Sequence, residues 1–221
     1  MNYIVFEDQK FQLLSPFTDL HATFEVRVGI FTNIDRIILQ LSEQDTIQVY
    51  VRTEIEDIIR ERYPDIDVNP KIFKSGICLN GSVIWYIEDI DNIDKELSYC
   101  NLNGLVAFMN EQDIDKDELN NLIKEKSIIA SKSDILSIKY LWDTFEILSD
   151  VIKKDYEILY NYKKGRLHPS CILIKEEDII INDNALVSAG TILDASEGPI
   201  VIDDNAILDI GVMIKGPAYI G

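Results

Sequence analysis

The sequence predicts an α/β domain with a doubly wound, mostly parallel sheet, followed by a parallel β-helix of hexapeptide repeats. Short β-branched segments alternate with helical patterns over residues 1–165, which is typical of βαβ units. The last third of the chain instead opens each six-residue unit with an aliphatic residue, as in Ile181-Asn-Asp-Asn-Ala185 and Ile202-Asp-Asp-Asn-Ala206. Because each repeat is one structural unit that stacks on the next, a fixed repeat predicts architecture more strongly than local propensity.

The first part of the chain is divided into strands and helices by its apolar patterns and turn residues. Apolar and β-branched runs predict strands at residues 3–6, 46–51, 76–79 and 104–109. Helical patterns lie between them at residues 55–62, 90–99 and 117–126. The first of these helices is predicted to start with a capping box at Thr53-Glu-Ile-Glu56.

A long amphipathic helix is predicted over residues 139–164. Apolar residues recur along it at helical spacing, among them Leu141, Phe145, Leu148, Ile152 and Leu159. Gly165 follows directly, as is common after the last turn of a helix. The predicted domains are therefore 1–138 for the α/β part, 139–165 for a linking helix and 166–221 for the β-helix.

In the repeat region, three six-residue units are expected to form one coil. The aliphatic residues of successive coils then stack as the core. The stretch 194–199 breaks the count of six, and we interpret it as a loop that leaves one corner of a coil. About three coils are present, and the sequence stops at Gly221 within a repeat. We therefore expect the chain to be truncated at its C-terminal end.

Composition narrows the classes of partner and the location. The formal net charge of −18 repels phosphate backbones, so nucleic acid is not an expected partner. Cys78, Cys100 and Cys171 are far apart, which indicates reduced thiols. No apolar run reaches the length of a membrane span, and Glu7 and Asp8 come too early for a signal peptide. The sequence therefore predicts a cytoplasmic protein with no membrane partner.

Two stretches carry a resemblance to a known family. The first combines Leu13-Leu-Ser-Pro-Phe-Thr18 with Val26-Arg-Val-Gly-Ile-Phe-Thr32, and the second runs from Leu141-Trp-Asp-Thr-Phe145 into the hexapeptide repeats. In this order they resemble the bacterial GlmU-like sugar nucleotidyltransferases. That family joins a nucleotidyltransferase-like α/β domain to a left-handed β-helix, and the β-helix implies a homotrimer.

The resemblance also implies a reaction. In this family a sugar 1-phosphate attacks the α-phosphate of a nucleoside triphosphate, with Mg²⁺ assisting and pyrophosphate leaving. The expected substrates are UTP and N-acetylglucosamine 1-phosphate, and the expected product is UDP-N-acetylglucosamine. Acetyltransferase chemistry belongs to later coils of such β-helices, so we expect it to be missing from this chain.

The expected site residues follow from matching the family's motifs to this sequence. Catalytic, anion-binding roles fall on Arg27 and Lys10, with a structural ion pair as an equal interpretation of Arg27. Asp8 is the predicted Mg²⁺ ligand, and the capping of a turn is its alternative role. Binding of the nucleotide or sugar falls on Pro16, Thr18, His21, Asn80 and Gly81. For His21 a plain surface position is the alternative, and for Asn80-Gly81 a plain turn.

The sequence departs from the family's pattern in ways that affect this site. Residues 6–10 lack the glycine-rich loop whose backbone N–H groups cradle phosphate, and His21 stands where relatives carry an arginine. Ser82 stands where relatives carry an aspartate that holds Mg²⁺, and a neutral hydroxyl is a poor ligand for this cation. An alternative therefore stays open, a module that binds a sugar nucleotide without turnover or that only forms oligomers.

Overall fold

The computed structural model describes residues 1–94, 96–127, 131–159 and 165–221. The chain divides into two compact units, the first made of Met1–Arg27 and Thr32–Thr144. The second unit is made of Val28–Phe31 and Phe145–Gly221. The domain boundaries expected after residues 138 and 165 stay a prediction.

The first unit is built on a central sheet. The first nine strands of the described chain are β1 (Asn2–Phe6), β2 (Arg27–Val28), β3 (Phe31–Thr32), β4 (Thr46–Tyr50), β5 (Asp67–Val68), β6 (Gly76–Asn80), β7 (Ser98–Asn101), β8 (Gly104–Asn110) and β9 (Ser131–Lys132). Strands β2 and β3 form a separate short hairpin. Within the described residues the central sheet has seven strands, in the order β5-β4-β1-β6-β8-β7-β9. Its pairs are parallel except where β8 meets β6 and β7. The predicted α/β class with a parallel-rich sheet is confirmed.

Apolar side chains bury both faces of this sheet. The helices of the described chain are α1 (Asn33–Gln40), α2 (Glu56–Arg62), α3 (Ile87–Asp91), α4 (Lys116–Lys126) and α5 (Asp143–Ile158). Tyr3 and Val5 of β1 belong to one core cluster, together with residues of α1, α2 and α3. Ile4 and Phe6 belong to another, together with residues of α4. Helices α1 to α4 therefore cover the sheet, and the loops at its edges are left to carry a site.

Two predictions about helices in the first unit were wrong. The helix expected at 90–99 ends at Asp91, because Ser98–Asn101 pairs with β8 as an antiparallel strand. The capping box expected at Thr53 is also absent from this described stretch. A 3-10 turn, Thr53–Ile55, starts there with no side-chain cap. The Glu56 carboxylate instead accepts hydrogen bonds from the side chains of Arg60, Asn69 and Lys116.

Helix α1 was not predicted, although the sequence contains its start signal. The Thr32 hydroxyl oxygen accepts a hydrogen bond from the N–H of Asp35 at 3.2 Å, which is an N-cap. Ile34 and Ile37 follow at helical spacing and are fully buried. A threonine followed three residues later by an acidic residue, together with apolar residues at helical spacing, could therefore have indicated this helix.

The second unit contains parallel strands in short repeats. They are β10 (Arg166–Leu167), β11 (Ile172–Ile174), β12 (Ile179–Ile181), β13 (Leu186–Val187), β14 (Ile192–Asp194), β15 (Ile200–Ile202), β16 (Ile207–Leu208), β17 (Met213–Lys215) and β18 (Ala218–Ile220). In this part of the described chain they form three sheets, β10-β13-β16, β11-β14-β17 and β12-β15-β18. Every third strand thus stacks in the same sheet, which is compatible with a β-helix.

The turns between these strands also repeat. Asn184 and Asn205 occupy matching positions and have φ of 61° and 63°, while Gly190 and Gly211 match each other at 72° and 74°. Asparagine and glycine are the residues that tolerate this left-handed backbone. The break expected at 194–199 is observed as a turn between β14 and β15, in which the Gly198 N–H donates to the carbonyl of Ala195 at 3.3 Å.

Helix α5 covers one of the three sheets. It lies inside the helix predicted at 139–164, of which residues 160–164 fall outside the described chain. Ile152 of α5 and Ile30 of the β2–β3 hairpin pack with Ile180 and Val201, on the outward face of β12-β15-β18. No helix among the described residues is both long enough and apolar enough to cross a membrane.

Candidate functional site

Polar residues collect where parallel strands of the first unit end. Glu7 and Asp8 follow β1, Arg52 comes two residues after β4, and Asn80 is the last residue of β6. Because neighbouring parallel strands end at the same edge, the sheet brings these side chains together. The carboxyl edge of parallel strands is also where open α/β sheets commonly bind ligands.

Glu7 and Arg52 form a buried ion pair at this edge. The distance from Arg52 Nη1 to Glu7 Oε1 is 2.6 Å, and the two side chains are 12% and 1% exposed. The Glu7 carboxylate also accepts the backbone N–H of Thr23 at 3.2 Å and that of Arg52 at 3.3 Å. Burial raises the pKa of Glu7, and the charge and hydrogen bonds of Arg52 oppose that rise.

The segment from Asp8 to Ala22, called here the 8–22 loop, follows β1. It contains the predicted site residues Asp8, Lys10, Pro16, Thr18 and His21. The loop starts with a 3-10 helix, Gln9–Leu14, which Asp8 caps by accepting the N–H of Lys10 at 2.9 Å. The Thr18 hydroxyl donates to the carbonyl of Phe11 at 2.7 Å. The family pattern places a glycine-rich loop after the first strand, and in this chain a capped helical turn occupies that position.

A cleft of about 420 Å³ opens beside Asp8 and Lys10. The β7–β8 hairpin lines one side of it and the end of α4 lines another. Lys10 Nζ donates to the carbonyl of Asn103 on the hairpin, and Lys124 of α4 lines the cleft as well. Two lysines and one aspartate give this cleft a positive balance in a chain whose net charge is −18.

A smaller cleft of about 180 Å³ adjoins the first. It shares Asp8, Gln9 and Lys124 with the larger cleft, and Glu7 and Arg52 lie in its wall. The buried ion pair therefore borders the same region of the surface as Lys10 and Asp8.

Asp8 is held from two sides. Its Oδ2 accepts a hydrogen bond from Asn80 Nδ2 at 3.1 Å, opposite the bond to the Lys10 N–H. Burial raises the pKa of Asp8, while these hydrogen bonds and the charge of Lys10 oppose the rise. Asp8, Lys10 and Asn80 are therefore the predicted site residues that the structure brings together.

Asn80 organises the turn after β6. Its Oδ1 accepts the N–H and the hydroxyl of Ser82 at 2.9 and 2.8 Å, and its Nδ2 donates to the carbonyl of Leu105 at 2.7 Å. The carbonyl of Gly81 accepts a bond from Asn33 at 2.9 Å. A Cβ on Gly81 would come within 2.9 Å of both Thr23 and Phe24, so the close approach of this turn requires glycine.

Asp8 and Lys10 line the larger cleft, and the other predicted site residues, Asn80 included, line neither cleft. Pro16 is exposed, and the Thr18 side chain is buried within the loop. The His21 ring stacks on Phe17 with a centroid distance of 4.4 Å, and its Nδ1 lies 3.0 Å from Arg62 Nη1. Arg27 is exposed on β2, and its catalytic role stays a prediction.

The fit to Mg²⁺ depends on Asp8. Among the described residues there is no group of three or more His, Cys, Asp or Glu that could hold a metal ion. Mg²⁺ in nucleotide sites, however, often takes one or two carboxylates and completes its shell with substrate phosphates and water. Asp8 fits the role of such a single protein ligand, whereas the Ser82 hydroxyl is engaged with Asn80.

Sequence reasoning missed Arg52 and Lys124 at this site. Arg52 could have been found, because it follows the carboxyl end of a predicted parallel strand at 46–51. Lys124 had no such signal, since it lies among several charged residues on the surface of α4. Only the packing of α4 on the sheet brings it to the cleft.

The fold and the cleft define an α/β protein with an anion-compatible site at the carboxyl edge of parallel strands. Residues 3–164 match the family described as sugar nucleotidyl transferase, and the chain belongs to that family. Membership implies a nucleotide and a sugar phosphate as substrates, and it supports the broader family rather than its GlmU-like branch. No curated protein matches the chain.

Proposed function

We propose that this protein transfers a nucleotidyl group to a sugar 1-phosphate. The specific reaction proposed is the formation of UDP-N-acetylglucosamine from UTP and N-acetylglucosamine 1-phosphate. The family membership supports the reaction class. The observation that carries the site is the cleft at the end of β1, where Lys10 and Lys124 accompany Asp8.

In this reaction the phosphate oxygen of the sugar 1-phosphate forms a bond to the α-phosphorus of UTP. The bond from the α-phosphorus to the bridging oxygen breaks, and pyrophosphate leaves with the electron pair. Lys10 and Lys124 would bind phosphate oxygens and offset their charge, which is the main contribution a protein makes to such a transfer. Mg²⁺, held by Asp8 and the phosphates, would supply further positive charge there.

The alternative is a module that binds a sugar nucleotide without turnover. It is favoured by Ser82, whose hydroxyl donates to Asn80, and by the absence of a multi-carboxylate cluster among the described residues. Such a module would keep the positively charged cleft and lose the chemistry. The two proposals differ in product formation and not in nucleotide binding.

The first experiment combines UTP, Mg²⁺ and N-acetylglucosamine 1-phosphate and measures pyrophosphate release, with mass spectrometry of the sugar nucleotide. Product supports the transferase, and replacing UTP by the other nucleoside triphosphates identifies the base. Absence of product in folded protein that still binds UTP by calorimetry favours the module. Absence of both argues against either proposal.

We further propose that the repeat region is a left-handed β-helix and that it assembles homotrimers. The stacking of every third strand supports the β-helix. Outside the sheet covered by α5, outward-facing apolar residues stay exposed, including Ile172, Ile207 and Met213 at 53%, 70% and 76%. Exposed apolar surface of this kind marks an interaction site, and a closed ring of identical chains would cover it.

A further inference from the structure

The 8–22 loop is folded around a single guanidinium. Arg52 Nη2 donates to the carbonyls of Thr18 and His21, the second at 3.3 Å, while Nη1 binds Glu7. The Arg52 guanidinium carbon also lies 4.4 Å from the centre of the Phe11 ring. Arg52 therefore contacts the loop at its beginning, middle and end.

Glu7 fixes the orientation of this guanidinium. Its carboxylate accepts the N–H of Thr23, the residue just after the loop, while Glu7 itself is the residue just before it. The two ends of the loop are thus tied to one carboxylate, and Arg52 fills the space between them. A charge this deeply buried is tolerated only when it is paired and hydrogen-bonded, so the pair has one favourable arrangement.

Lysine could not replace this contact set. An ammonium on a flexible stem could pair with Glu7, but it does not present the planar fork that reaches Glu7, Thr18 and His21 together. The specific effect of the arginine is therefore to connect the loop carbonyls to the sheet. Its charge alone would be kept by lysine.

We propose that Arg52, oriented by Glu7, is a positioning residue that holds the 8–22 loop in the shape in which Lys10 and Asp8 line the cleft. The proposal rests on the proposed function, because it assigns the loop to nucleotide binding. Arg52 lies in the wall of the smaller cleft, and the role proposed for it runs through its bonds to the loop carbonyls. Its loss should therefore change the apparent affinity for nucleotide more than the rate of the bound complex.

The test compares Arg52→Lys with Arg60→Lys. Arg60 is an arginine of α2 whose described side-chain bonds go to Glu56, Asp57 and the carbonyl of Val68 and not to the loop, so its variant controls for arginine replacement. In Arg52→Lys we expect the KM or Kd for UTP to rise at least tenfold, with kcat changed less than threefold. Arg60→Lys should match the wild type. Should Arg52→Lys fail to fold, Glu7→Gln keeps the acceptor oxygen, and the same change is expected at smaller size.

Hydrogen exchange of the loop amides gives a readout that needs no ligand. The N–H groups of Phe11, Ser15 and Asp19 are bonded within the loop. They should exchange faster in Arg52→Lys, while amides of β1 and β6 stay protected.

Unchanged loop exchange together with unchanged UTP affinity overturns the proposal, as does a tenfold loss of affinity shared by Arg60→Lys. A wild-type protein that binds no nucleotide overturns the proposed function, and the exchange result then decides separately whether Arg52 holds the loop.

Discussion

Gly29 lies in the Arg27-Val-Gly29 stretch whose resemblance to relatives led to an anion-binding prediction. The structure gives the glycine a different, local reason. Its φ is +79°, and a Cβ there would lie 2.5 Å from Asp155 Oδ2 and 2.7 Å from Val151 Cγ1. Asp155 is fully buried and accepts the N–H of Ile30 at 2.9 Å. The glycine therefore lets the hairpin turn approach the carboxylate that caps it.

The substitution Gly29→Ala should destabilise the protein by about 2–4 kcal/mol, because it combines backbone strain with a clash. Gly211→Ala is the matched control, since φ there is +74° and no described atom lies within 4 Å of the added Cβ. That control should lose only about 1–2 kcal/mol. Urea unfolding of both variants measures the difference, and equal losses would show that Asp155 and Val151 yield without cost.

Lys10 and Arg27 can be ranked as anion-binding residues by paired substitutions. Lys10 lines the larger cleft, whereas Arg27 does not line either cleft described above. Lys10→Met should therefore weaken UTP binding about tenfold or more, which corresponds to roughly 1.4 kcal/mol. Arg27→Met should have the smaller effect. Titration calorimetry decides the order, and a larger loss in Arg27→Met would return the phosphate site to β2.

At the scale of elements, an ion pair joins the turn before β6 to the turn after β8. The Asp113 carboxylate accepts a hydrogen bond from Lys74 Nζ at 2.8 Å and another from the N–H of Ser75 at 2.9 Å. The Lys74 hydrogen bond, then the Ser75 bond, lowers the pKa of Asp113 from its usual 3.8. A carboxylate with a lowered folded pKa contributes stability above its unfolded pKa and loses it as pH falls.

Asp113→Asn should therefore be slightly less stable than the wild type at pH 6–7. The difference should shrink below about pH 4 and disappear once Asp113 is protonated in both states. Denaturant unfolding across this range measures it, with Glu111→Gln as an exposed neighbour for control. A difference that persists at low pH would mean that Asp113 acts through packing and not through its charge.

Elements with a local signal in the sequence were predicted, whereas an element that depends on pairing with a neighbouring strand was missed. The strands β1, β4, β6 and β8 were located because they are apolar runs bounded by turns. The segment 98–101 looked helical and became a strand because β8 offers it a partner. Asp8 and Lys10 were predicted as site residues and line the larger cleft, while their roles in binding stay a prediction. Arg52 had a signal in its place after the predicted strand at 46–51, whereas Lys124 reaches the cleft only through the packing of α4, which no short motif in the sequence encodes.

At the scale of the whole molecule, charge opposes the function that the family implies. A net charge of −18 repels nucleotides as it repels nucleic acids, so the chain needs a local cationic site. Lys10 and Lys124 supply one at the larger cleft. Repulsion between chains also opposes assembly, and a homotrimer must overcome it by burying apolar surface.

The assembly can be tested at the exposed residues of the repeat region. Met213 extends the outward column Ile172-Ile192-Met213 of the β11-β14-β17 sheet and is 76% exposed. If chains meet on this face, Met213→Glu places an unpaired charge in the contact and should reduce the mass seen by light scattering from three chains to one. Leu102→Glu is the matched control, because Leu102 is 94% exposed in the first unit and the same charge there should leave the trimer intact. A wild-type protein that sediments at 25.3 kDa, the mass of a single chain, would count against the trimer. If the trimer survives Met213→Glu, the contact is expected instead on the face that carries Ile207.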